Sequence, residues 1–146
     1  MPVDVTVEAV IRRPVDEVAA YTADPGNAPE WYANIRSVEW RTEPPVRVGS
    51  RMVFVARFLG RTLAYTYEVV ELVPGSRLVM RTAHGPFPME TTYTWTPVPG
   101  GTLMTLRNTG DPAGFARVAA PVMERAMRRA TGKDLLRLAS VLEGRG

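Results

Sequence analysis

Three tyrosines and one histidine are the side chains best suited to chemistry. Tyr65, Tyr67 and Tyr93 combine an apolar ring with a hydroxyl group, and a buried tyrosine needs a hydrogen-bond partner for that group. His84 has the inward parity of its predicted strand, and a histidine can act as a general base near neutral pH. Tyr67, Tyr93 and His84 could therefore present polar groups to a bound molecule. Two alternatives remain open. The tyrosines could serve only in packing, and His84 could be a partly exposed loop residue beside Gly85-Pro86.

The motifs of other catalytic classes are missing from the chain. It has no Ser-His-Asp motif, no paired-carboxylate signature and no phosphate-binding glycine-rich loop. The absence of cysteine excludes a disulfide framework, thiol catalysis and a zinc–thiolate site. Because His84 is the single histidine, a multi-histidine metal site is excluded as well. We therefore predict neither a metal nor a cofactor, and the sequence identifies no catalytic residue.

Length and composition indicate one domain that spans residues 1–146. A chain of 16.1 kDa with 45% hydrophobic and 23% charged residues is large enough to bury a core of its own. The N-terminus lacks a basic region followed by an apolar run, and no stretch of about 18 apolar residues occurs. We therefore predict a cytoplasmic protein without a transmembrane segment.

The basic residues are almost all arginine, since Lys133 is the only lysine and the formal net charge is +3. Those on the predicted last helix are Arg117, Arg125, Arg128, Arg129 and Arg137. A solvated helix face with a Glu124–Arg128 ion pair accounts for them, and the alternative is binding to phosphates or anionic lipid. No aromatic side chains that could stack bases lie between these arginines, so nucleic acid is not predicted as a partner.

The order of predicted elements indicates an α+β fold. A strand over Val3–Arg12 precedes two short helices, over Pro14–Tyr21 and Asp24–Trp31, each with a proline at its first turn. Strands follow near 35–42, 51–59, 61–72, 77–84, 89–97 and 102–109. Their short proline- and glycine-rich connections predict antiparallel hairpins, and a long helix closes the chain from about Pro112 to Glu143. We expect a seven-stranded curved sheet around this helix, with an apolar pocket between them.

The period-2 pattern of the strands and the methionines of the helix indicate what lines the pocket. Methionine adapts its shape, so a methionine-lined cavity suits planar or flexible apolar ligands, although methionine also fills gaps in ordinary cores. The residues predicted to bind the ligand are Trp40, Met52, Phe54, Tyr65, Tyr67, Met80, His84, Tyr93, Trp95, Met104 and Asn108 from the strands, and Phe115, Val118, Val122, Met123 and Met127 from the helix.

The long helix shows a change of phase in its apolar pattern. One stripe includes Phe115, Val122 and Met123, and a second stripe beyond Gly132 is rotated by more than about 90° from the first. Either the helix kinks near Gly132 or its halves face different parts of a curved sheet. We expect the first half to cover the ligand space. The second half, with its leucines, is expected to anchor the helix to the sheet.

Several segments together resemble a known superfamily. They are Tyr21-Thr-Ala-Asp-Pro-Gly-Asn-Ala-Pro-Glu-Trp31, Tyr67-Glu-Val-Val-Glu-Leu-Val-Pro-Gly-Ser-Arg-Leu78 and Tyr93-Thr-Trp-Thr-Pro-Val-Pro-Gly-Gly-Thr-Leu-Met-Thr-Leu106, followed by the long helix. In this order the chain is similar to the START/Bet v 1-like (SRPBCC) superfamily, in its polyketide cyclase/dehydrase-like branch. The resemblance implies a helix-grip fold in which the sheet grips the C-terminal helix over a hydrophobic cavity. It implies no single activity, because the superfamily includes carriers, receptors, cyclases and lipid-transfer domains.

Three functions fit these observations. The first is binding or carriage of a small hydrophobic molecule, such as a lipid, polyketide or isoprenoid. The second is a polyketide aromatase/cyclase or dehydratase that uses pocket tyrosines and His84, although most strand arginines have outward parity and Arg36 is the exception. The third is a protein-interaction module that uses the arginine-rich helix face or the outward apolar pair Val53 and Val55. We accordingly expect a monomer or a homodimer.

Overall fold

The computed structural model describes residues 3–58, 60–84, 88–110 and 120–144, without the side chains of Phe58, His84 and Ala120. Within these residues the elements are β1 (Val3–Ile11), α1 (Val15–Ala23), a 3-10 turn (Pro25–Asn27), α2 (Ala28–Trp31), β2 (Ile35–Trp40), β3 (Arg51–Phe58), β4 (Arg61–Val73), β5 (Arg77–His84), β6 (Met89–Val98), β7 (Gly101–Gly110) and α3 (Ala120–Glu143).

All seven strands form one antiparallel sheet in the order β1-β7-β6-β5-β4-β3-β2. Strands β2 to β7 follow one another as a meander, and β1 returns to pair with β7 in a register that runs from Val3 opposite Gly110 to Ile11 opposite Thr102. The predicted α+β architecture is therefore confirmed, with its seven-stranded antiparallel sheet, two short helices after the first strand and a C-terminal helix.

Two of the tight turns occur where the sequence has proline followed by glycine. Gly75 joins β4 to β5 with φ of 76°, and Gly100 joins β6 to β7 with φ of 82°. These backbone angles lie in the left-handed region, which glycine adopts without a steric penalty. The hairpins that bring successive strands side by side are thus encoded locally.

The two short helices begin as predicted, and one of them is interrupted. Pro14 precedes the first turn of α1, and this helix extends to Ala23 rather than ending at Tyr21. The Asp24 carboxylate accepts a hydrogen bond of 2.9 Å from the N–H of Gly26, which caps the segment that follows. That segment is a 3-10 turn and then a single turn of α-helix, so the predicted second helix is divided into two short pieces.

The buried side chains of α3 form one continuous stripe, namely Met123, Met127, Thr131, Asp134, Leu135, Leu138 and Leu142. At about 100° per residue, these positions fall within an arc of about 120° on one side of the helix. The predicted change of phase is therefore wrong. Two polar residues, Thr131 and Asp134, continue the stripe between its apolar ends, whereas Val122 is 58% exposed on another side.

Helix α3 also covers the outer edge of β1. The Glu124 carboxylate accepts a hydrogen bond of 3.0 Å from the N–H of Asp4, and the Arg128 guanidinium donates one of 3.0 Å to the carbonyl of Thr6. The predicted Glu124–Arg128 pair is thus replaced by contacts with the strand backbone. Covering an edge strand in this way removes a surface that could pair with another chain. Within the described parts of the chain, none of the helices has the length and apolar character that a membrane crossing requires.

Gly132 provides a test of how α3 is stabilised. A Cβ atom built at this position meets no heavy atom within 4 Å, so alanine fits without a clash. Because alanine favours a helix interior over glycine by about 1 kcal/mol, Gly132→Ala should raise the free energy of unfolding by about 0.5–1 kcal/mol in urea denaturation. Introducing a glycine at an exposed position of the same helix, as in Ser140→Gly, should lower the free energy of unfolding. A loss of stability in Gly132→Ala would contradict the open space at this position.

Candidate functional site

A cavity of about 150 Å³ lies between the inner face of the sheet and α3. A cavity of about this volume holds a single benzene-sized ring. Its wall is formed by the inner faces of β3 to β7, by the segment after α2 and by the first four turns of α3. Most of the wall is apolar, and a small number of hydroxyl, amide and carboxyl groups interrupt it. This combination is typical of sites that bind small apolar molecules.

The structure brings together half of the side chains that the sequence predicts for the pocket. Those that line the cavity are Phe54, Tyr65, Tyr67, Met80, Tyr93, Asn108, Met123 and Met127. The side chain of His84 and the residues Phe115 and Val118 lie outside the described part of the chain.

Five predicted residues do not line this cavity. Met52 and Met104 have inward parity but are fully buried in the packed core, because parity fixes the face of a strand and not the position along it. Val122 is 58% exposed because it lies outside the buried stripe of α3. Trp40 is half-buried at the end of β2. Trp95 packs beneath α1, where its indole N–H donates a hydrogen bond of 2.9 Å to the hydroxyl of Thr22.

A second hollow, of about 420 Å³, lies beside Trp95 between α1 and the β4–β5 hairpin. Its wall consists mainly of small apolar side chains, and Asp16 is its charged residue. The described residues around it supply no converging polar groups that would orient a ligand. The cavity beneath α3 is therefore the stronger candidate.

Two phenol groups meet at one end of the cavity. The hydroxyls of Tyr32 and Tyr93 are hydrogen-bonded to each other at 2.8 Å, and Trp31 stacks on Tyr32 with a centroid separation of 4.0 Å. Burial raises the pKa of both tyrosines, so they remain neutral phenols at physiological pH. The hydrogen bond between the Tyr32 and Tyr93 hydroxyls uses only one of their two hydrogen atoms. The other hydrogen is available to a ligand.

A second polar group lies where β6 and β7 pair. The hydroxyl of Thr91 donates a hydrogen bond of 2.7 Å to the side-chain carbonyl of Asn108. Nearby, Phe54 and Tyr67 pack edge to face with their ring centroids 5.3 Å apart, and Tyr65 lies 6.0 Å from Tyr67. Burial raises the pKa of Tyr67, and a hydrogen bond with Thr91 partly opposes this. This wall therefore offers aromatic surface with neutral hydrogen-bonding groups.

Asp134 brings a carboxyl group into the cavity wall from the middle of α3. It is 3% exposed, and its Oδ1 accepts a hydrogen bond of 3.0 Å from the N–H of Ala33. Burial raises the pKa of Asp134 to about 6, against the opposing effects of that hydrogen bond and of Arg137 on the next turn. The carboxyl group is therefore mostly ionised at neutral pH and mostly protonated at mildly acidic pH.

The sequence analysis missed the contributions of Tyr32 and Asp134 to this site. Tyr32 lies in the short segment after α2, where no periodic pattern reports on its direction. Asp134 is detectable in principle, because it stands three or four positions from the buried residues Thr131 and Leu138. Among the described residues, no group of three or more potential ligands could hold a metal ion.

A profile of the family described as polyketide cyclase/dehydrase and lipid transport matches residues 2–143. The chain belongs to this family. This match confirms the resemblance to the START/Bet v 1-like superfamily, in its polyketide cyclase/dehydrase-like branch. No curated protein matches the chain in sequence.

Solved structures share this family member's fold over nearly the whole chain. The protein TTHA0849 from Thermus thermophilus has a TM-score of 0.81 at 20% identity, covering 98% of this chain and 99% of its own. The Zhui aromatase/cyclase from Streptomyces sp. R1128 has a TM-score of 0.81 at 16% identity, with 99% and 96% covered. A START superfamily protein from Mycobacterium smegmatis has a TM-score of 0.72 at 19% identity, with 99% and 95% covered. At these identities the likeness establishes the helix-grip fold.

Proposed function

We propose that this protein binds or carries a small hydrophobic or aromatic molecule in the cavity beneath α3. The observation that carries the proposal is the cavity itself, which has the volume of one aromatic ring and a wall of aromatic and methionine side chains. Burying about 150 Å² of a ring at ~25 cal/mol per Å² contributes about 4 kcal/mol. One-ring ligands should therefore bind in about the millimolar range, and larger apolar molecules that extend from the cavity should bind more tightly.

The first test is the identity of material that accompanies the purified protein. Native mass spectrometry and solvent extraction should reveal a bound apolar molecule. Amide NMR titration with toluene then measures the occupancy of the cavity directly. Toluene-induced shifts confined to exposed residues, with none at the cavity wall, would overturn the proposal.

Met127→Trp should close the cavity to ligands. Met127 is 8% exposed and lines the cavity, so a larger ring at this position fills the space that toluene would occupy. We expect the affinity for toluene to fall at least about tenfold, a loss of about 1.4 kcal/mol, in the NMR titration. The matched control is Val122→Trp, which makes a similar enlargement on the exposed side of the same helix. Its toluene affinity should match that of the wild type, and equal losses in both variants would contradict the assignment.

A second candidate function is cyclisation or dehydration of a polyketide-like ligand. The observation that favours it is that Tyr67, Tyr93 and the Asp134 carboxyl group all line the same cavity. Phenols and a carboxyl group with a pKa of about 6 are suited to exchanging protons with a bound ketone. Tyr67→Phe and Tyr93→Phe would decide this candidate. Undiminished turnover of a poly-ketone by both variants would exclude a role for these hydroxyls.

A further inference from the structure

The cavity contains a buried acid without a basic partner on its wall. Among the described residues that line it, none is lysine, arginine or histidine. Asp134 forms one hydrogen bond with the described part of the protein, through Oδ1 to the N–H of Ala33. The nearest arginine on the same helix, Arg137, is exposed and donates its Nε–H to the carbonyl of Glu30 at 2.8 Å. One side of the carboxyl group thus remains for a molecule in the cavity.

The interactions of the buried Asp134 carboxyl group do not fully compensate for its loss of hydration. A buried carboxylate costs several kcal/mol unless a positive charge or additional hydrogen bonds compensate it. The described protein supplies Asp134 with one backbone hydrogen bond and no ion pair inside the cavity. A ligand that brings a positive charge to this point would therefore gain the interaction that the protein leaves unmade.

The rest of the cavity also suits a cation attached to an apolar body. The rings of Tyr32 and Tyr93 lie near Asp134, and an aromatic face attracts a cation through its quadrupole. Thr131 is 5% exposed, lines the cavity one turn before Asp134 and forms no hydrogen bond with the described residues. Its hydroxyl oxygen is an additional acceptor for an N–H group.

We propose that the cavity selects apolar or aromatic molecules that carry a protonated amine, and that Asp134 is the residue that pairs with the ammonium group. This inference rests on the proposed function, because it requires that the cavity binds a small molecule. It adds the chemical class of the ligand and the residue that sets the preference.

The experiment compares three ligands that share one phenyl ring and differ in the group at the end of a short chain. They are 2-phenylethylamine, 2-phenylethanol and 3-phenylpropionate, with toluene as the apolar reference. In amide NMR titrations at neutral pH and low salt, we expect the amine to bind about tenfold more tightly than the alcohol. The carboxylate should bind most weakly, because Asp134 repels it.

Asp134→Asn should remove this preference. The variant keeps the shape of the side chain and an oxygen that accepts from Ala33, but it removes the charge. The amine should then bind no more tightly than the alcohol, while the affinity for toluene stays the same. The matched control is Asp16→Asn, which changes the net charge equally at an exposed position on α1, outside this cavity. That control should keep the full preference for the amine.

A pH series on the wild-type protein tests the inference without any substitution. The groups that face Asp134 are the Arg137 guanidinium on its own helix and the phenols of Tyr32 and Tyr93, whose raised pKa values keep them neutral between mildly acidic and neutral pH. About one pH unit below its pKa, only about a tenth of Asp134 is ionised, so the tenfold preference for the amine should shrink to about twofold. The series remains decisive even if Asp134→Asn does not fold.

The outcomes separate the two proposals. Failure of toluene to bind the wild-type cavity would overturn the proposed function. Binding of toluene together with equal affinities for the three ligands would overturn this inference and leave the proposed function standing. A preference for the alcohol, or an amine preference that persists in Asp134→Asn, would also overturn it.

Discussion

Leu138→Ala should lower the free energy of unfolding by about 2–5 kcal/mol, as expected when a large side chain is truncated in a packed core. Leu138 is 0% exposed on the buried stripe of α3, beyond the part of the helix that lines the cavity. Because it does not contact the ligand space, the affinity of the folded variant for toluene should equal that of the wild type. Urea denaturation measures the first quantity, and NMR titration measures the second.

The same helix supplies the control for this substitution. Leu136 lies two positions away and is 66% exposed, so Leu136→Ala should change stability by no more than about 0.5 kcal/mol. Similar losses in the two variants would show that the buried stripe has been assigned to the wrong side of the helix. A large loss of toluene affinity in Leu138→Ala would show that the cavity extends further along α3.

Gly101→Ala should destabilise the protein by about 3 kcal/mol, at the upper end of the usual penalty for overpacking. A Cβ atom at Gly101 would lie 2.2 Å from the carbonyl oxygen of Ile11 and 3.0 Å from the Cα of Arg12. Both are backbone atoms of the chain leaving β1, so no side chain can rotate away to relieve the clash. Urea denaturation against Gly132→Ala, where the added methyl group has open space, is the direct comparison. Equal stability of the wild type and Gly101→Ala would contradict the close approach of β1 and β7.

The sheet was predictable because apolar and polar residues alternate along its strands, and this alternation indicates which face of each strand is buried. Side chains such as Phe54, Tyr67 and Tyr93 alternate with polar neighbours, and burial of one face leaves one register that satisfies them. Turn chemistry at the two proline–glycine pairs then sets where β4 and β6 end. Both signals are local, and local signals can be interpreted from a single sequence.

The cavity was only partly predictable because it depends on distances between elements. Met52 and Met104 point to the same face as Phe54, yet they lie where the core is filled. Tyr32 and Asp134 reach the cavity through the packing of the segment after α2 against α3, which Asp134 itself fixes through Ala33. A helix pattern that counts only apolar residues favours Val122 over Asp134, although the helix buries the acid and exposes the valine.

The pairing of β1 with β7 has a consequence for how the chain is made. β1 is synthesised before the other strands of the sheet, but its partner strand and the helix that covers its edge are synthesised about a hundred residues later. At ~5–20 residues per second, β1 waits for about 5–20 seconds with its apolar face uncovered. We expect the hairpins of β3 to β7 to assemble during this interval and β1 to join them last. During synthesis this domain is therefore most exposed to chaperones, and most prone to aggregate, through β1.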